Sequence, residues 1–458
     1  MPMTGRVRER VFTGLQGLLG SRVGARLEEF LQLEKATPVA LRELQRERID
    51  RLLRFAVRYV PYYRARCGND DRLRLEDLPA LTKTTVRDHF RDLMSPEVSA
   101  GYEGRRTGGY SWIEVKTGGS TGQPTTVIHD ARLRDYGRAA RLYSQRLCGF
   151  PFGTPYFRLW GSMKEISQMR ESAACRLTRL LAGERLLNAF RMSEPRMREY
   201  LALMARSRVR HMMAYVDCAA ELARFARENG IPVRPLDSLM ACAGTVTPAA
   251  RALIESVFGC KLHNKYGSRD CTEMACECRH GRMHIYANHV LVEVVDEQGR
   301  AVQPGTAGRL LVTLLNNYSF PMIRYEIGDV GALGEGSCPC GSPFPILDRV
   351  EGRTSELLKT SSGTYVSPLF IMHLVGVVHN PGFVRRFQLV QREPARFDLN
   401  LELAGDTQDG QLETLGGRLE HDLAAVFGEA CSVRARRVDA IPASPSGKFL
   451  YVVSHVRG

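Results

Sequence analysis

From Arg208 to Gly259 the chain alternates apolar runs with helical patterns: RVRHMMAY, CAAELARFAREN, the segment from Ile231 to Leu239, then TPAARALIESVFG. Strands that alternate with helices pair side by side in one direction, so this stretch predicts a helix-flanked, largely parallel sheet. Upstream, Leu41, Leu44, Ile49, Leu52, Leu53 and Ala56 fit one amphipathic helix within Thr37 to Arg66, stopped by Pro61. Between Val290 and Leu315 two strands, LVEVVD and GRLLVTLL, are joined by the turn-rich EQGRAVQPGTA and predict an antiparallel β subdomain. Past Gly352, FVRRFQLV and RFDLNLEL read as a hairpin, Leu412, Leu415, Leu419 and Leu423 as a helix stripe, and VRARRVD as a further strand. The expected class is α/β. A chain of 458 residues exceeds one ordinary core, so two domains are expected, a large one over 1–352 and a small α/β one over 353–458.

With 44% apolar and 25% charged residues the chain reads as folded, not disordered. Its 64 basic and 50 acidic residues give a net charge of +14, which favours anionic partners. The arginines are dispersed, without a basic run or interleaved aromatics, and no nucleic-acid partner is expected. No stretch approaches the ~20 apolar residues needed to span a bilayer, and MPMTGRVRER lacks a signal-peptide core, so a cytoplasmic protein without an integral membrane segment is expected. A short amphipathic stripe, Val11, Phe12, Leu15, Leu18 and Leu19, is expected to pack against the body of the protein, with contact to a membrane as the alternative.

The segment VKTGGSTGQPTTV (Val115 to Val127) sets Thr117, Gly118, Gly119, Ser120, Thr121 and Gly122 between strand-like flanks. Glycines let several N–H groups converge on a phosphate and hydroxyls add donors, although a plain polar turn has the same composition. The Gly-Lys-Ser/Thr ending of a Walker loop is missing. Four segments follow in order: NKYGSRD (Asn264 to Asp270), PMIRYEIGD (Pro321 to Asp329), EGRTSELLK (Glu351 to Lys359) and PASPSGK (Pro442 to Lys448).

Together these five resemble the ordered core motifs of the acyl-adenylate-forming superfamily. VPYYR (Val60 to Arg64) and LPALTKTTVRDHF (Leu78 to Phe90) are similar to segments of its phenylacetate-CoA ligase and CapK-like capsule-biosynthesis branch. The resemblance implies a large N-terminal adenylate-forming domain and a small mobile C-terminal lid. It implies attack of a carboxylate on the α-phosphorus of ATP with pyrophosphate leaving, so the site must hold reactants in line and neutralise growing charge. By the same resemblance, Thr117 to Gly122 hold the β,γ-phosphates, Tyr266 beside Gly267 stacks on adenine, and Asp329 accepts the ribose hydroxyls with help from Arg353. Lys448 bridges the carboxylate and the α-phosphate.

The chain departs from the pattern after the Tyr-Gly pair, where Arg269 and Asp270 stand in place of Thr or Ser followed by Glu. Asp270 is expected to take the Mg²⁺ role with a shorter reach, and Arg269 resembles the capsule-type branch. At the hinge, Ser355 replaces the usual Asp or Lys.

CTEMACECRHGRMH and SCPCG supply Cys278, His284, Cys338 and Cys340, a set suited to structural Zn²⁺ and similar to one found in the resembled family. Cys276 is an alternative ligand, and reduced cysteines packed as small hydrophobes are the alternative to a metal. His211, His263 and His289 read as core or surface residues. The activity implied is ATP-dependent activation of a small-molecule carboxylic acid with CoA as acceptor. Transfer to an amine, a hydroxyl or a carrier-protein thiol is a second reading, and a nucleotide-binding protein without turnover is a third.

Overall fold

The computed structural model describes residues 5–67, 73–102, 112–116, 125–160, 173–189, 192, 194–353, 358–361, 365–366, 375, 384–403, 409–442 and 450–456. Helices α1 (Gly5–Leu18), α2 (Val23–Leu33) and α3 (Pro38–Tyr59) open the chain. Thr37 caps α3 by accepting the Ala40 N–H at 3.2 Å. Helix α3 ends at Tyr59, just before Pro61 as the sequence predicts, but Pro61 also starts a new helix, α4 (Pro61–Cys67), because a missing N–H costs nothing in a first turn. Two short helices, α5 (Lys83–Asp88) and α6 (Pro96–Gly101), precede the antiparallel pair β1 (Trp112–Lys116) and β2 (Thr126–Asp130). Asp130 then caps α7 (Ala131–Leu147) through the Leu133 N–H at 2.7 Å.

The next elements are β3 (Tyr156–Trp160), α8 (Ala173–Ala182), β4 (Glu184–Asn188), α9 (Glu194–Arg206), β5 (His211–Tyr215), α10 (Val216–Glu228), β6 (Ser238–Cys242), α11 (Pro248–Phe258) and β7 (Lys261–Ser268). Strands β3 to β7 are all parallel, as the alternation predicts. The strand expected from Ile231 begins only at Ser238. Antiparallel strands follow: β8 (Thr272–Glu277), β9 (Met283–Ile285), β10 (Val290–Val295), β11 (Gly308–Leu314), β12 (Tyr325–Leu333) and β13 (Ile346–Arg353).

The predicted β region is not a separate sheet. Eleven described strands form one sheet in the order β10-β11-β12-β13-β9-β8-β7-β6-β5-β3-β4. Strand β7 is the seam, parallel to β6 on one edge and antiparallel to β8 on the other. Beyond it, β14 (Leu358–Lys359) and β15 (Tyr365–Val366) pair, and β16 (Val384–Glu393), β17 (Arg396–Leu403), α12 (Asp409–Phe427), β18 (Ser432–Arg437) and β19 (Val452–Ser454) form a unit with sheet order β18-β17-β16-β19. Leu415, Leu419 and Leu423 of α12 pack on Leu389 and Leu399 in a core of its own.

The N-terminal stripe behaves differently from expectation. Phe12 is buried and stacks on Phe152 at 4.4 Å, but Val11, Leu15, Leu18 and Leu19 remain 38%, 39%, 85% and 79% exposed.

A polar cluster is sealed beneath α2 and α3. Arg48 donates to Glu29 at 2.8 Å and to the Tyr136 hydroxyl at 3.1 Å. His289 is fully buried, stacked on Tyr136 at 5.6 Å, with Nε2 at 2.8 Å from Thr272 Oγ1. Burial first, then the Arg48 cation and His129, push its pKa down from 6.5 to about 3. The unfolded chain therefore takes up a proton between pH 6.5 and about 3 that the folded chain refuses. Stability is full above pH 6.5 and falls through that window by up to about 1.4 kcal/mol per pH unit from this group. Urea unfolding followed against pH should give a shallower acid slope for His289→Gln than for the parent, and equal slopes would remove His289 as the source.

Candidate functional site

Two tyrosines and two aspartates are exchanged between β7 and β12. Tyr266 of β7 donates from Oη to Asp329 Oδ2 at 2.6 Å, and Tyr325 of β12 donates to Asp270 Oδ2 at 2.7 Å, just past the end of β7. Strands β7 and β12 are separated in the sheet by β8, β9 and β13. In a flat sheet four such steps span roughly 19 Å, far beyond the reach of a tyrosine, so this half of the sheet must curl until the two strands face one another. Four groups from two distant segments of the chain thereby share one site.

Burial together with the Asp329 carboxylate raises the Tyr266 hydroxyl well above its ordinary range, so it donates at any physiological pH. Asp270 is buried, and its Oδ1 accepts from Ser268 Oγ while its Oδ2 accepts from Tyr325. The two bonds use two of the roughly four acceptor positions of a carboxylate, which leaves Asp270 lone pairs for a cation. Arg269 is exposed. Asp329 lies opposite Arg353 in the β12–β13 ladder, and the Arg353 side chain is outside the described residues.

The backbone that holds these groups is tightly constrained. A Cβ at Gly267 would sit 2.6 Å from the Thr272 carbonyl oxygen, so only glycine permits β7 and β8 to approach there. Thr272 has φ 61° and Arg324 φ 52°, unusual values for side-chain-bearing residues. Thr272 is held by His289, and Arg324 by bonds from its guanidinium to the Leu78 carbonyl at 2.6 Å, Gly299 carbonyl at 3.0 Å and Glu293 at 3.2 Å. Strain of this kind persists only where surroundings over-determine it, and here it aims Asp270 and Tyr325 at each other. The threonine of the Leu81-Thr82-Lys83 motif caps α5, and Leu81 bridges to Tyr325.

The glycine-rich segment is flanked in sequence by β1 and β2, which pair in register with Lys116 opposite Thr126. Thr117, Gly118, Gly119, Ser120, Thr121 and Gly122 lie outside the described residues, as do Ser355 and Lys448. The β2 end of this hairpin is anchored to the site. His129 Nε2 lies 2.9 Å from the Asp270 carbonyl oxygen, and since a carbonyl only accepts, that nitrogen carries the proton. Burial lowers its pKa and keeps the ring neutral. Tyr325, Arg324 and His129 were not singled out from the sequence. Arg324 and Tyr325 both lie within PMIRYEIGD, five and four residues before Asp329, and so had a legible signal, whereas His129 had none.

The second cluster lies beyond β9. The donor atoms of Cys278, His284, Cys338 and Cys340 are all within 4.8 Å of one another, the four residues expected as metal ligands. The Cys278 and Cys338 sulfurs are 3.6 Å apart, too far for a disulfide, and Cys340 Sγ is 3.2 Å from His284 Nε2. A tetrahedral zinc with bonds of about 2.3 Å to sulfur and 2.0 Å to nitrogen has edges of this size. His284 Nδ1 bonds the Phe344 carbonyl at 3.1 Å, which leaves Nε2 as the ligating atom. Burial raises the Cys338 thiol, but the Cys340 N–H and the neighbouring thiols outweigh it and the net shift is downward, whereas burial pushes Cys340 up to about 12. Cys276, the alternative ligand, instead lies against Cys148 at 3.8 Å.

Residues 358–455 match the CapK C-terminal domain family. The chain is 25% identical over 392 residues to a phenylacetate-coenzyme A ligase of Thermus thermophilus, covering 80% of this chain and 82% of that protein. It is 20% identical over 387 residues to protein CapK of Staphylococcus aureus, covering 84% and 81%. Among solved structures it superposes with a TM-score of 0.67 and 18% identity on 2-hydroxyisobutyryl-CoA ligase in the postadenylation state bound to R3-HIB-AMP, covering 93% of this chain and 92% of that one. The chain is thus similar in sequence to acyl-CoA ligases over most of its length and has the fold of an adenylate-forming ligase.

The cysteine cluster generates its own test. Protein purified without added zinc should carry about one Zn²⁺ per chain by elemental analysis, and Cys338→Ser should lose it together with thermal stability, since metal binding and folding are coupled. A metal-free parent protein of unchanged stability would defeat the assignment.

Proposed function

We propose that this chain is an ATP-dependent ligase that activates a carboxylic acid as its acyl-AMP and then transfers the acyl group, with CoA as the leading acceptor. The observation that carries this reading is the crossed Tyr266–Asp329 and Tyr325–Asp270 pairs beside the anchored flanks of the glycine-rich segment. They gather an aromatic face, a carboxylate suited to two ribose hydroxyls, and a buried carboxylate suited to a magnesium-bound phosphate. Sequence similarity to phenylacetate-CoA ligases supports it from an independent side.

In this mechanism Tyr266 orients Asp329 for the ribose while its ring covers the adenine, and Asp270 would hold a Mg²⁺, which would supply charge neutralisation for the polyphosphate. The carboxylate oxygen of the substrate attacks the α-phosphorus, the bond to the bridging oxygen breaks, and pyrophosphate leaves with that electron pair. Lys448, with Thr117 to Gly122, would offset the charge that develops. A division near residue 353 is supported by the separate core of the C-terminal unit, and a lid over 353–458 with Ser355 at its hinge would bring Lys448 to the site. Zn²⁺ at Cys278, His284, Cys338 and Cys340 would be structural, because four protein ligands leave no position open for water.

Similarity to CapK and the Arg269–Asp270 departure favour a second reading of the transfer step, in which an amine, hydroxyl or carrier-protein thiol replaces CoA. The two readings share the adenylation half-reaction. Carboxylate-dependent exchange of labelled pyrophosphate into ATP, run over a panel of acids, should detect it. Absence of exchange with every acid despite tight ATP binding would favour a protein without turnover.

Two substitutions separate the roles. Lys448→Ala should lower adenylate formation about 10²-fold or more, roughly 2.7 kcal/mol of transition-state stabilisation, with ATP affinity nearly unchanged. Unaltered exchange would take Lys448 out of the mechanism. Asp329→Ala should instead raise the ATP dissociation constant and leave the Tyr266 hydroxyl without this acceptor, so an unchanged constant in calorimetry would count against the ribose role.

A further inference from the structure

The first helix is mounted with its polar side inward. Toward the body, Phe12 stacks on Phe152, Arg8 donates to the Gly153 carbonyl at 3.3 Å, Glu9 pairs with Arg146 at 2.6 Å, and Gln16 accepts from Arg138 at 3.1 Å. Outward stand Val7, Val11, Leu15 and Leu18, at i, i+4, i+8 and i+11, which places all four on one face of α1. Leu18 and Leu19 are 85% and 79% exposed. Helix α8 packs beside α1 and adds Leu177 and Leu180 one turn apart, the latter 72% exposed. An amphipathic helix of a water-soluble surface is normally oriented the other way round, and a line of exposed aliphatic side chains on two adjacent helices marks a contact surface.

The charges on these helices indicate what is contacted. Arg10 lies on α1 and Arg176 and Arg179 on α8, with Arg8 turned toward Gly153, against the single acid Glu9, which Arg146 already neutralises. We propose that the α1–α8 face seats this protein on an anionic lipid bilayer, the helices lying in the interfacial plane with their aliphatic residues in the acyl boundary and arginines at the phosphates. No described helix is long and apolar enough to cross a membrane, consistent with this in-plane arrangement. A second copy of the chain is disfavoured as occupant, because a two-fold contact would set the same arginine-bearing patch against itself. The proposal is independent of the reading of the active site.

Flotation of the full chain with vesicles tests it. The protein should float with phosphatidylcholine mixed with phosphatidylglycerol, hardly at all with phosphatidylcholine alone, and less as salt is raised. Leu15→Glu and Leu18→Glu, both at exposed positions, should each lower the vesicle-bound fraction about tenfold with an unchanged melting temperature. Failure of the parent to float with anionic vesicles overturns the proposal, as does flotation of both variants at the parental level. A lipid-independent rise in mass with concentration, abolished by Leu18→Glu, would overturn it in favour of a second copy.

Discussion

Two hydroxyl–carboxylate bonds crossed between β7 and β12 hold the site together. Tyr266 reaches Asp329 and Tyr325 reaches Asp270 only because the antiparallel half of the sheet curls through β8, β9 and β13. A hydrogen bond to a charged partner contributes about 1.5 to 3 kcal/mol, so the pair is a substantial restraint on that curl. Each acidic side chain is oriented by a residue of the other strand, and neither strand alone contains the site.

The seam role of β7 explains why the arrangement is possible. One edge of this strand continues a parallel, helix-covered sheet and the other starts an antiparallel one, so its C-terminal end falls where the two textures meet. Clefts form at such points in open sheets because neighbouring connections diverge. The backbone there is close-packed and strained, with Gly267 against the Thr272 carbonyl and Thr272 itself left-handed. The sealed cluster of His289, Arg48, Glu29 and Tyr136 lies directly behind and fixes Thr272 through its hydroxyl.

The cysteine cluster sits where β9 and β13, neighbouring strands inside the sheet, pair. Cys278 precedes β9, His284 lies within it, and Cys338 and Cys340 come from the turn before β13, so the four donors gather beside two paired strands, where a bound metal would tie them together. Phe344 supports this from the backbone by engaging His284 Nδ1. A pinned β9–β13 pair would in turn keep Asp329 and Arg353 in register farther along the β12–β13 ladder.

Periodicity in the sequence determined which segments became strands and helices, since the spacing of buried side chains is a local property. It determined the parallel half of the sheet and the C-terminal hairpin, while the residue types and spacing of the cysteine and histidine motifs pointed to the cluster, with Cys276 left as an alternative. It did not determine that the two β regions share one sheet, that Pro61 begins a helix, or that α1 turns its aliphatic face outward. Those features depend on what each segment meets in space: β8 beside β7, the body beside Glu9 and Arg8. The same holds for Tyr325, Arg324 and His129, whose places in the site follow from curl, left-handed backbone and a hairpin anchored to a distant carbonyl, none of which has a sequence period. Tertiary structure decided them because a side chain's role at a cleft is set by its neighbours across the sheet, and those neighbours are far away along the chain.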